Sequence, residues 1–375
     1  MPATDVDYCR SIEDFEKEII KNRWRVDHLP DWYPGVKDKP IMLSDGDSWF
    51  DFPVKSLTDV AGVLLRYTVG LQNFGMDSKT NVMDYVARDE TFDGIFLRME
   101  RSGDHAQELA AQQPDQLNGV WEDKFPSQTL YTALQNDTIR SQVDGILLSA
   151  GGNDMVCAAR HGGLLQYTGD WRTSFNDDVL QQAAQEVVSY YLKALQYRDE
   201  FAPQAVVVCH SYAYPVQVYR GTTVEFEFTE IGGVLQAMLN FTRLEWLKTP
   251  LAAIGVNVDV LGDYQFSGDA NLHETMDRLG WPANPEHPQR EGVHPERAQF
   301  IRHLLDVLYH QMQRLPERYA AETGKALSGY EYIDIRHFVQ EPHYWSDFIH
   351  LNSAGYKVVG DNFVHQLKRI FQTPA

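Results

Sequence analysis

The chain has 375 residues, 43% of them hydrophobic and 12% aromatic, and a formal net charge of −20. That apolar content can fill a sizeable core, and α/β folds of this length often form a single unit. The charge would repel a polyanion and no Lys/Arg-rich run offsets it, so nucleic acid and anionic membrane surfaces are excluded as expected partners.

Residues 1–37 read as an N-terminal arm with one helix, opened by Ser11 with Asp14 three residues on as a capping box. The acidic start, Met1 to Asp7, lacks the basic-then-apolar layout of a signal peptide. No apolar stretch reaches the roughly 20 residues that span a bilayer, so no transmembrane segment is expected. A cytoplasmic location is the default expectation, with export by another route or a processed chain left open. Cys9, Cys157 and Cys209 are scattered and odd in number, which implies neither a zinc site nor a disulfide framework.

Residues 38–375 are expected to form one α/β domain. The apolar runs Pro40–Leu43, Val143–Ala150, Ala205–Cys209 and Tyr330–Ile335 fit strands buried on both faces. Val179–Leu195 and Arg297–Arg314 show helical spacing. The alternation predicts a doubly wound, mostly parallel sheet sandwiched by helices, a three-layer flavodoxin-like α/β fold with insertions. Ligands of such folds bind at the carboxyl ends of the strands. The Asp/Gln-rich stretch 94–135 and the longer stretch 216–295 read as insertions. The second holds an alternating strand, Val224–Phe228, an apolar helical run, Val234–Leu247, and a Pro/His-rich loop, Trp281–Pro295. Its composition suggests a cap that shapes the substrate site, with Phe241 and Trp246 in it.

Three motifs carry chemistry. Ser44-Asp45-Gly46-Asp47-Ser48-Trp49-Phe50 puts a serine on a glycine turn directly after a strand, where its own N–H points at any anion that forms. Ser149-Ala150-Gly151-Gly152-Asn153-Asp154 closes another strand. Its glycines admit close approach, and the Asn153 amide can donate into an oxyanion site. Asp347-Phe348-Ile349-His350 spaces a carboxylate and an imidazole on one side of a turn, so that Asp347 can hold Nδ1–H and leave Nε2 as a base. Blander readings stand beside these: ordinary turns for the first two, and for the third the start of a last helix capped by Ser353. A metal reading would recruit His343, but no further ligands cluster there in sequence, and no metal is expected.

In order, these blocks resemble the SGNH/GDSL hydrolases, a family of esterases, lipases and carbohydrate deacetylases. The match runs over the core strands from about residue 38 to 367 and leaves out the insertions. The resemblance implies an SGNH-hydrolase-like fold with Ser48 as nucleophile, His350 as base and Asp347 as its orienter. It also implies an oxyanion hole built from Asn153 and the Ser48 N–H. The family's second-block glycine, a further oxyanion donor, falls on Ser78 when Asn73 and Thr80 are aligned, with Gly75 three residues earlier; both stay open. His210, in His210-Ser211-Tyr212-Ala213-Tyr214-Pro215, is read as structural. The expected function is a serine esterase or lipase, cofactor-free, forming an acyl-enzyme on Ser48. Its expected substrate is a lipid or simple acyl ester, with acetylated carbohydrate next. The alternative is a catalytically inactive SGNH-fold binding protein. The sequence does not indicate an oligomeric state.

Overall fold

The central strands form on short apolar runs, and among the described residues the sheet they build is parallel throughout. In the computed structural model the strands are β1 (Tyr8–Cys9), β2 (Ile41–Gly46), β3 (Ile95–Arg98), β4 (Gly145–Ser149), β5 (Val206–His210) and β6 (Tyr330–Ile333). The structure describes residues 8–9, 11–30, 39–47, 49–50, 81–101, 104–113, 128–161, 164–215, 272, 275–282, 295–341, 344–345, 351 and 353–372. The six strands lie in the order β1-β3-β2-β4-β5-β6. Without the two-residue edge β1, this is the doubly wound order in which the chain first steps one way and then the other. β2 and β4 flank the switch point. Their register sets Gly46 beside Ser149, so both strands end together.

The stretch expected to be an insertion from residue 94 begins with a strand instead. Ile95-Phe96-Leu97 is too short to stand out in sequence, yet all of β3 is buried because it pairs with β2 on one side and β1 on the other.

Helices cover both faces. They are α1 (Ile12–His28), α2 (Val82–Val86), α3 (Ala106–Leu109), α4 (Leu130–Gln135), α5 (Asp137–Gln142), α6 (Gly152–His161), α7 (Asp177–Phe201), α8 (Pro295–Gln313), α9 (Leu315–Thr323) and α10 (Ser353–Phe371). Ser11 caps α1: its Oγ accepts from the Asp14 N–H (3.2 Å) and donates to the Asp14 carboxylate (2.9 Å). Successive residues of β5 show the two faces. Cys209 faces Tyr191 of α7, whereas the His210 ring meets Phe363 of α10. α10 packs on α2, and α7 packs on α3, α4, α6 and α8, giving three layers. Among the described residues no helix is long and apolar enough to cross a membrane.

Of the stretch 216–295, Leu272, Met276 and Trp281 pack into the core, whereas 277–280 are exposed. Trp281 is buried against Tyr167 and Phe300, and Arg297 donates to its carbonyl (2.7 Å). Phe241 and Trp246, and with them the cap reading, lie outside the described residues.

Candidate active site

The site grows from the close approach of β2 to β4. Gly46 has φ +147°, and a Cβ there would stand 2.0 Å from the Ser149 carbonyl oxygen, so only glycine lets the two strand ends meet. The next residue exploits that contact, the Asp47 N–H donating to the Ser149 carbonyl (2.7 Å). The buried Asp47 carboxylate then accepts from the Trp49 N–H (3.1 Å), the Ser149 hydroxyl (2.9 Å) and the Tyr212 hydroxyl. The Phe50 N–H returns to the Asp47 carbonyl (3.0 Å). Both neighbours of position 48 are thus fixed to the sheet. Ser48 itself lies outside the described residues.

Under this turn sits a buried charge cluster. Arg98, at the end of β3, donates to Asp84 (2.8 Å), to Glu100 and to the Phe50 carbonyl (3.0 Å). The Ser44 hydroxyl binds the other oxygen of Glu100 (2.8 Å). Asn81 caps α2, accepting from the Asp84 N–H (2.8 Å). The Val82 N–H donates to the Trp49 carbonyl (3.1 Å), so α2 is tied to the same turn.

The loop after β4 is clamped from α7. The Tyr191 hydroxyl accepts from the Ala150 N–H (2.7 Å) and donates to the Ala150 carbonyl (2.9 Å). Gly151, with φ +112°, leads into α6, where Asn153 is half-buried and its Nδ2 donates to the Asp104 carbonyl (2.8 Å). Of the residues expected to act, Asn153 is the one the structure describes. Ser48, Gly75, Ser78, Asp347 and His350 lie outside the described residues. The chain around the last two is held on both sides. Trp345 and Leu351 form an antiparallel bridge, and Tyr356 in the first turn of α10 packs edge-on against Trp49 at 5.7 Å.

Electrostatically the site is an acid-rich enclosure. Burial pushes Asp45 up to about 7, with Arg101 pulling it back and Glu100 adding to the rise. Burial, reinforced by Asp45, pushes Asp104 up to about 9. His210 is enclosed by the rings of Trp49, Phe50, Tyr212 and Phe363, and burial pushes it down to about 4. Its Nδ1 lies 2.7 Å from the Ser211 carbonyl, so that nitrogen carries the proton. Among the described residues no group of three His, Cys, Asp or Glu could hold a metal ion.

Sequence reasoning missed the supports. Asp47 and Tyr212 lay within quoted motifs without an assigned role. Arg98, Asp104 and Tyr191 gave no local signal, because each is defined by a partner far along the chain.

The sheet order and register set Gly46-Asp47 and Gly151-Gly152-Asn153-Asp154 at the neighbouring ends of β2 and β4. No protein-family model and no curated protein matches the sequence. Among solved structures the chain is similar to the extracellular lipase of Streptomyces rimosus, at 12% identity and TM-score 0.40, covering 87% of this chain and 98% of that one. It is similar to a GDSL-like lipase candidate from Parabacteroides merdae, at 12% identity and TM-score 0.39, covering 89% and 97%. It is also similar to a carbohydrate esterase, at 11% identity and TM-score 0.35, covering 91% and 70%. A likeness that distant carries no activity across to this chain.

Proposed function

We propose that the chain is a serine-dependent carboxylic ester hydrolase, with Ser48 as nucleophile, His350 as general base and Asp347 as its orienter. One observation carries the reading: the residues flanking position 48 join the other two motifs. Asp47 is bonded to Ser149, four residues before Asn153, and Trp49 packs on Tyr356, six residues after His350. These two contacts between described flanks support bringing the three blocks to the switch point of the sheet, where such folds take ligands.

In this mechanism the His350 imidazole takes the Ser48 proton as the hydroxyl oxygen attacks the ester carbonyl. The oxyanion rests on the Ser48 N–H, the Asn153 amide and a second-block N–H from Ser78 or Gly75. One Nδ2 hydrogen of Asn153 holds the Asp104 carbonyl, and the amide has a second to give. The alcohol leaves with the proton from His350, and water then repeats the sequence on the acyl-enzyme. No cofactor enters these steps. The substrates proposed first are lipid or simple acyl esters, with acetylated carbohydrate next.

A fluorophosphonate probe tests this directly. Covalent labelling of the parent protein, abolished in Ser48→Ala with an unchanged circular dichroism spectrum, is the expected result. A folded parent that takes no label would favour the inactive binding protein.

A further inference from the structure

Cys157 stands one helical turn beyond Asn153 on α6, half-buried rather than sealed in the core. It does not stand alone. Its Sγ lies 3.9 Å from His105 Nε2, and His105 Nδ1 lies 3.5 Å from Asp154 Oδ1. One ring nitrogen thus faces a thiol and the other a carboxylate, the arrangement that activates a nucleophile.

The three side chains are positioned by separate contacts. Asp154 accepts from the Ala106 N–H (2.9 Å), and the His105 N–H donates to Glu108 (3.0 Å). The His105 side chain is 33% exposed, so a small reagent can reach the group. Asp154, and after it Cys157, push His105 up to about 10, which keeps the ring cationic at neutral pH. A cationic imidazole beside a sulfur stabilises negative charge that develops there as it reacts. The other two cysteines differ in kind. Both are buried, and burial pushes Cys9 up to about 11 and Cys209 higher still, which holds them as inert thiols.

We propose that Cys157, His105 and Asp154 form a nucleophilic thiol centre, a modification site for low-molecular-weight disulfides. The Cys157 thiolate attacks one sulfur of the disulfide, a new S–S bond forms and the old one breaks. The departing thiolate leaves with the electron pair and takes a proton from water. The reagent disulfide is the oxidant. The centre uses none of the residues assigned to ester hydrolysis, so it stands or falls apart from that reading.

The test is the rate of thiol release from dithiodipyridine added to the folded protein at pH 7. One equivalent should react in a fast phase, faster than the same thiol does in the urea-unfolded chain. Cys157→Ser should remove that phase, and His105→Gln and Asp154→Asn should each slow it by about 10-fold. Three results would each overturn the proposal. These are a fast phase that survives in Cys157→Ser, a folded His105→Gln protein that reacts as fast as the parent, or a parent thiol that reacts no faster folded than unfolded. The last comparison needs no variant to fold.

Discussion

A carboxyl group buried without a full set of partners keeps its proton, and Asp104 is such a group. It is 2% exposed, and its Oδ1 has no hydrogen-bond partner among the described residues. Asp104 and Asp45 both titrate above the ordinary 3.8, at about 9 and about 7. The folded chain therefore binds more protons than the unfolded one in that window. Their stabilising contribution is full below about pH 4 and is lost as the pH rises through those values. His105, raised from 6.5 to about 10, acts in the same sense: full below 6.5 and lost toward 10. His210 works oppositely. Its contribution is present above 6.5 and is lost as the pH falls through about 4. Above pH 6.5 the first three groups lean one way, so calorimetry should show the melting temperature declining toward pH 9. Asp104→Asn, which cannot ionise, should flatten that decline. An unchanged profile would assign it to other groups.

Between elements, the structure joins the end of β3, the cap of α2 and the turn after β2 through one guanidinium. Arg98 is 1% exposed and faces two carboxylates, a backbone carbonyl and the Asn81 side chain. Removing it would take the guanidinium away from the buried carboxylates of Asp84 and Glu100, so Arg98→Ala should cost about 3–5 kcal/mol in urea denaturation. Arg98→Lys should restore little of this, because a point charge cannot match the planar fork. A loss below about 1 kcal/mol would mean the cluster relaxes or takes up water. A second junction involves α10 and α2, where a Cβ on Gly360 would stand 2.4 Å from the Tyr85 Cβ. That close approach lets the helix after His350 lie against the helix that holds the Ser48 turn.

At the scale of the whole molecule, the sheet order decides what meets. The chain leaves β2 for β3 on one side and returns to β4 on the other, which opens the crevice where the Asp47 and Asn153 segments adjoin. The last helix meets the turn after β2 through the Tyr356–Trp49 contact. If the proposed triad is right, Tyr356→Leu should shift the base relative to the nucleophile. A misplacement of about 1 Å costs up to about 10²-fold in rate, so kcat should fall by roughly 10–100-fold with KM little changed. Equal loss of kcat and thermal stability across a series of Tyr356 substitutions would mark the ring as a core residue only.

The sequence by itself determined the strands β2, β4 and β5, the long helices α7 and α8, and the Ser11 cap, because periodicity and capping are local properties. The run Tyr330–Ile335 marks β6 too but predicts burial on both faces, whereas β6 is an edge strand with Glu331 exposed and Ile333 buried. The sequence also displayed the turns at Gly46 and Gly151, which the backbone conformations found there require. The tertiary structure decided what no local pattern holds. β3 exists through pairing with β2, and Arg98, Asp104 and Tyr191 gained their roles from partners distant in the chain. The thiol centre shows the same division. Cys157 and His105 are 52 positions apart, and neither flank marks the other. Only the docking of the 104–106 segment against α6 makes them one chemical group.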